Sequence, residues 1–222
     1  MTPNKESDRI TEGTAPFATK AGDFLTLADW RRQISEIYAA TRRQTDPRRA
    51  WRKWRQARDR LFHHHPQSPV PLAQRGNGTT VPFFPYDSRW RFAVGLQAAI
   101  TPKVSQAEGG KDGMILVQAF AQTSGLKAAL GQELTIYWIT GYGGGLFLPF
   151  RDATGGTETY GGGRYILDSI KGADLGTDRE GRMIIDFNFA YHPSCYYSND
   201  WICPLAPIEN HLEIAIRAGE RF

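Results

Sequence analysis

The stretch RWRFAVGLQA, residues 89–98, is where the periodicity of this chain changes. Trp90, Phe92, Val94, Leu96 and Ala98 alternate with Arg91, Gly95 and Gln97, so an extended segment here has one apolar face. A period of two predicts a half-buried strand. Downstream, strand-like runs recur at 113–121, 133–140, 145–150, 163–170, 182–190 and 211–217. Turn-forming clusters such as EGGKDG, GYGGG, DATGG and DREG separate them. Short strands at this spacing predict a mainly β (α+β) fold, an antiparallel β barrel or sandwich spanning 89–222.

Upstream of that stretch the period is helical. Residues 1–22 are polar and rich in Thr, Gly and Ala, the composition of a flexible tail. Residues 23–65 predict an N-terminal helical arm of two helices. In the first, Trp30, Ile34, Ile37 and Tyr38 share one face. Asp46 and Pro47 then give an N-cap and a proline at the first helical position. In the second helix Ala50, Trp51, Trp54, Ala57, Leu61 and Phe62 form the apolar face, and Pro66 ends it. Residues 66–88 are a proline-rich loop. Of the histidines at 63–65, His65 is the one placed to cap or hydrogen-bond at the helix end, because adjacent histidines on a helix cannot face one point.

The chain has 222 residues, enough for a domain with an appendage and a sizeable core. Its 41% hydrophobic and 23% charged content is that of a globular protein, not a disordered one. The 23 glycines, 12 Phe, 9 Tyr and 6 Trp favour strands and tight turns. No signal-like apolar region opens the chain, and no run approaches the roughly 18 apolar residues of a membrane span. The expected location is cytoplasmic, with no membrane partner. Two cysteines are too few for a disulfide framework.

Net charge is +4, but residues 42–60 alone carry nine Lys/Arg against two Asp. A basic helix with Trp51 and Trp54 interleaved raises nucleic acid or an acidic protein as a partner, through a non-catalytic interaction module. The tryptophans fall on the apolar stripe, however, which assigns them to docking the helix on the β domain and argues against nucleic acid. YGGG occurs at 142–145 and 160–163 without matching flanks, and neither copy precedes a helix as a phosphate loop does. Such glycines read as bends or sites of close backbone approach.

LFLPFRDATGGTETYGGGRYI (146–166) and GRMIIDFNFAYHPSCYYSNDWICPLAPIENHLEIAIRAGERF (181–222) resemble the C-terminal signature of an uncharacterised bacterial and archaeal family of the domain-of-unknown-function type. That signature runs Phe-Arg-Asp, then E-T-Y-G-x-G-R-[YF], D-F-N-x-A-Y-x-P-x-C and C-P-L-x-P-x-E-N. HPQSPV (65–70) and FFPYDSRWRF (83–92) resemble its upstream landmarks. The resemblance covers about residues 60–222. Longer relatives carry a forkhead-associated-like segment, which the short arm here does not accommodate, so phosphopeptide recognition is not carried over. The resemblance implies a β-rich domain with polar residues gathered in its C-terminal half, and no activity. Arg151, Asp152, Glu158, Tyr160, Arg164, Asp186, Asn188, Tyr191, Cys195, Cys203, Glu209 and Asn210 fit the pattern.

Three constellations carry chemistry. His192, Cys195, Cys203 and His211 are all plausible zinc ligands, but their H-x2-C-x7-C-x7-H spacing lacks the short Cys hooks of a structural knuckle, so no metal site is expected. The cysteines themselves read as a catalytic thiol, as buried apolar residues or as a disulfide. The third is polar. Strand alternation through MIIDFNFAY sets Asp186, Asn188 and Ala190 on the face opposite Ile185, Phe187 and Phe189. Pairing with the preceding segment would bring Glu158, Tyr160 and Arg164 alongside. Such a group either pins the hairpins as a polar network or binds a small polar or anionic molecule, possible substrate of acid–base or hydrolytic chemistry. In the binding reading Asp186, Glu158 and Tyr160 form the catalytic set, with Asp186 or Glu158 as base. Arg164 acts as anion clamp, and Asn188, Arg151, Tyr191 and Asn210 complete the ligand-binding set. A structural scaffold without ligand is the further alternative. The cofactor is unknown, and nothing in the sequence identifies one.

Overall fold

The described part of the chain, in a computed structural model, comprises residues 21–76, 80–98, 104–108, 114–199, 201 and 203–222. The expected tail falls outside it except for residues 21 and 22, which begin the first helix. Helix α1 spans Ala21–Arg42 and α2 spans Pro47–His64. The Asp46 carboxylate accepts the Arg49 N–H at 3.1 Å, so the cap read from sequence is formed. His65 closes α2: its ring bonds Asp29 Oδ2 at 3.3 Å through Nε2 and accepts the Gln67 N–H through Nδ1 at 3.0 Å. Among the described residues no helix is long and apolar enough to cross a membrane.

The apolar stripe of α2 docks on the β domain. Trp54 meets Phe83 and Phe189 with ring centroids 5.6 and 4.9 Å apart, and Trp51 meets Phe83 at 6.2 Å. Trp51 Nε1 also donates to the Asn188 carbonyl at 2.9 Å. These tryptophans are buried in the seam. One cation of this basic helix departs from its neighbours: Arg58 is buried on the same stripe.

Among the described residues seven strands follow: β1 (Arg91–Ala98), β2 (Val104–Glu108), β3 (Met114–Ser124), β4 (Thr135–Ile139), β5 (Gly145–Phe150), β6 (Arg164–Asp168) and β7 (Met183–Asp186). They form an antiparallel sheet in the order β6-β5-β4-β3-β1-β7, with β2 also paired to β3. The sheet curls into a nearly closed barrel. Bulges between Ala119 and Ala121 in β3 and between Tyr165 and Leu167 in β6, opposite Leu148 and Pro149, bend the strands, and a bridge between Tyr165 and Tyr191 joins β6 to the segment after β7. The fold is thus mainly β with two N-terminal helices, and barrel is the correct alternative to sandwich. The barrel core contains Val94, Leu134, Ile136, Leu148, Phe150, Ile185 and Phe187.

The deciding strand β1 behaves in two halves. Residues 91–94 pair with β7 and residues 95–98 with β3. Val94 is buried and Phe92 packs on the core, but beyond the change of partner Leu96 faces out. β2 had no counterpart among the expected strands. Two expected strands are also corrected. The run at 182–190 stops at Asp186, because the Asp186 carboxylate accepts the Asn188 N–H at 3.0 Å and turns residues 187–189 into a 3-10 turn. The expected alternation therefore fails, and Phe187, Asn188, Phe189 and Ala190 are all buried. The run at 211–217 is not a strand. Its first residues make only short backbone contacts with 151–153, Leu212 N–H donating to the Arg151 carbonyl at 2.8 Å and Ala153 N–H to the Ile214 carbonyl at 3.0 Å. Beyond them side chains take over: Ile216 N–H donates to Asp152 at 2.6 Å, and the Arg164 guanidinium donates to the carbonyls of Ile216, Ala218 and Glu220.

Candidate functional site

Docking of the arm on the barrel leaves a cavity of about 70 Å³ in the seam. Helical spacing supplies one side: Trp30, Ile34, Ile37 and Tyr38 from α1, and Trp54, Arg58 and Phe62 from α2. The barrel supplies Tyr165, Tyr191 and His192, and the short helix α3 (Ser194–Tyr197) supplies its two end residues. A volume near 70 Å³ holds a few waters or a molecule of a few heavy atoms, since one water needs roughly 10–15 Å³.

Arg58 crosses this seam to Glu220. Its Nε and Nη2 donate to Glu220 Oε1 at 2.9 and 2.5 Å, while Glu220 Oε2 accepts the His192 N–H at 2.6 Å and the Tyr197 hydroxyl at 2.8 Å. The guanidinium lies 3.9 Å from the Phe62 centroid and 5.1 Å from that of Tyr191. Burial disfavours the Arg58 charge, but the Glu220 carboxylate with Tyr197 and Tyr38 together outweigh it and the guanidinium stays protonated. Burial, then the charges of Arg164 and Arg58, push His192 down to about 3, so its imidazole is neutral near pH 7. His192 Nε2 accepts the Tyr160 N–H at 3.2 Å, which assigns the ring proton to Nδ1. Among the described residues that buried Nδ1 has no hydrogen-bond partner; Glu220 Oε2 is 3.8 Å away.

The residues expected to form a site are distributed over separate networks, and of these only Tyr191 lines the seam cavity. Asp186 and Asn188 are fully buried. Asn188 accepts the Asp87 N–H at 2.9 Å and donates to the Asp87 carbonyl at 2.8 Å and to Asp186 Oδ1 at 2.8 Å. Burial raises the Asp186 carboxyl above its usual range, against the opposing bonds from Asn188 and Arg91. Arg164, also buried, pairs with Asp152 at 3.1 Å and holds the C-terminal segment. Glu158 sits outside on Arg217, 2.8 Å away, whose hydrogen bonds lower its carboxyl. Tyr160 receives the Cys195 thiol at 3.8 Å. Arg151 is exposed and bridges His211 through its backbone. Asn210 ties Thr135 to Pro149 with three bonds of 2.8–2.9 Å. His211 bonds the Ala206 carbonyl at 2.9 Å, and no group of three or more His, Cys, Asp or Glu is placed to hold an ion among the described residues.

Sequence reasoning missed Arg58, Glu220 and the polar role of His192. A signal existed for Arg58, which lies four residues after Trp54 and four before Phe62, on the buried stripe. Glu220 stands in no apolar period and leaves no such trace.

Residues 78–221 match the profile of a family described as a protein of unknown function, DUF1684. The chain belongs to the DUF1684 family. The matched region contributes Tyr191, His192 and Glu220 to the seam, while Arg58 and the rest of the arm lie outside it. A solution NMR structure of an uncharacterised protein from Haloarcula marismortui is 32% identical to this DUF1684 chain. The match covers 76% of this chain and 90% of that one, with a TM-score of 0.53. No curated protein matches the chain.

Proposed function

We propose that the chain binds a small polar or anionic molecule in the cavity between the helical arm and the barrel. The observation that carries this reading is the unpartnered Nδ1–H of His192, buried beside a cavity with aromatic and aliphatic walls. Leaving such a donor unsatisfied costs about 1–3 kcal/mol, which an acceptor in the cavity would recover. Arg58 supports the same polarity, because its side chain also lines the cavity. Because Glu220 already neutralises Arg58, the ligand chemistry that fits is a carbonyl or carboxylate oxygen on a short apolar body, not a multiply charged anion.

Trp30 and Trp54 border the cavity and report on it. Titration with acetate, propionate, butyrate and the matching amides, followed by tryptophan fluorescence and thermal denaturation, is expected to give a saturable change with at least one of them. His192→Phe removes the donor and should abolish that change, while Glu158→Gln, remote from the cavity, should keep it. Absence of a saturable response across the whole series in the folded wild-type chain rejects the reading.

A further inference from the structure

The two cysteines belong to neither the seam cavity nor the polar networks, and they meet each other. Cys195 is half-buried in α3; Cys203 is buried against the cluster of Val117, Ala119, Tyr137, Phe147 and Tyr165. The Cys195 N–H donates to Cys203 Sγ at 3.4 Å. Cys195 Sγ in turn reaches the Tyr160 hydroxyl at 3.8 Å. Both thiols are free.

The surroundings make the two sulfurs unequal. Contact with the Cys203 thiol, and then the Tyr160 hydroxyl, against the cost of burial, bring Cys195 down to about 6. The same contact and its own burial push Cys203 up. Near neutral pH the pair is therefore a partly exposed thiolate next to a buried thiol, the arrangement of an attacking and a resolving cysteine.

We propose that Cys195 and Cys203 form a reversible redox site that exchanges with small disulfides such as glutathione disulfide. The Cys195 thiolate attacks one sulfur of the oxidant, whose S–S bond breaks. One glutathione thiolate leaves and takes up a proton. Cys203 then loses its proton and attacks Cys195 Sγ, displacing the second glutathione thiolate, which takes up that proton. The two protein thiols have lost two electrons and two protons, and the oxidant has gained both. The low thiolate pKa shows its advantage in acid. Against an ordinary thiol near 8.5, the larger thiolate fraction is offset by weaker nucleophilicity, leaving a gain of about twofold at pH 7 and about tenfold at pH 6.

The test uses the full chain in buffers of graded glutathione redox ratio, quenched by alkylation and mapped by mass spectrometry. Expected is a product lighter by two hydrogens with Cys195 linked to Cys203, reversed by excess reduced glutathione. Cys203→Ser should stop at a mixed disulfide on Cys195, and Cys195→Ser should form neither product. Circular dichroism checks that both variants fold. A measurement without variants is the pH profile of iodoacetamide labelling at Cys195, expected to have its midpoint near 6. The proposal is overturned if the wild-type pair stays fully alkylatable in the most oxidising buffer, if the cysteines link only between chains, or if the labelling midpoint lies near an ordinary thiol's value of about 8.5.

Discussion

Arg58 and Glu220, 162 residues apart in sequence, share a buried ion pair that fastens the second helix to the end of the barrel domain. Both partners are desolvated, and Glu220 spends its remaining oxygen on the His192 amide and the Tyr197 hydroxyl. A pair of this kind is costly to break from one side, because the surviving charge has nowhere to go. Arg58→Met is expected to cost about 3–5 kcal/mol in urea unfolding. The double variant Arg58→Met/Glu220→Gln should lose at least about 1 kcal/mol less than the two single costs together. Simple additivity would sink the idea that the two residues act as a unit.

His192 predicts a pH dependence. Its folded value of about 3 lies below the 6.5 of an unperturbed imidazole, so between those values the unfolded chain holds the proton and the folded chain does not. Stability is complete above about pH 6.5 and falls as pH drops toward 3. From pH 7 to pH 5 the loss is about 2 kcal/mol. His192→Gln should show a shallower decline over the same interval, and equal slopes for the two proteins would count against the assignment.

Asn188 and Arg164 are expected to act on stability. Asn188→Ala strips the Asp87 backbone of both bonds and should cost about 2–3 kcal/mol. Arg164→Leu leaves Asp152 buried without its cation and three carbonyls of the C-terminal segment without a donor; about 3–5 kcal/mol is expected. Urea melts read both. Variants as stable as the wild type would show that these side chains are not fastening the fold.

Gly219 sits at φ +81°, where a Cβ would come within 2.5 Å of the Ala190 carbonyl oxygen and 2.8 Å of that of Phe187. The Phe187 oxygen closes the 3-10 turn on the Ala190 N–H, and the Ala190 oxygen accepts the Glu220 N–H at 2.8 Å, so neither can move without breaking a bond. Gly219→Ala should destabilise by about 3 kcal/mol or more through strain and overlap together. A melting curve matching the wild type would refute this.

Local periodicity and capping chemistry were legible in the sequence because they are properties of neighbouring residues. The Asp46 cap, the tryptophan stripe of α2 and the core strands β3 to β6 follow from side-chain spacing and turn composition. Asp186 and Asn188 were recognisable as a polar pair, but alternation put them on an open strand face. Their mutual hydrogen bond ends the strand instead, and a period of two cannot register a side chain that competes with the ladder. The 211–217 segment differs for a related reason: its alternating apolar residues do enter the core, but its backbone pairing with 151–153 stops at Ile214, and Asp152 and Arg164 take the groups of Ile216 that a partner strand would have held.

What the sequence determined by itself was a helical arm followed by an antiparallel β domain, since amphipathic period and turn residues are written locally. What only the tertiary structure decided was which polar groups meet. Arg58 finds Glu220, Cys195 finds Cys203 beside Tyr160, and His192 is left with an unpaired donor at the seam. These pairings depend on how two helices dock on a curved sheet, where burial and Coulomb attraction act between residues far apart in the chain, and no spacing rule along the chain encodes them.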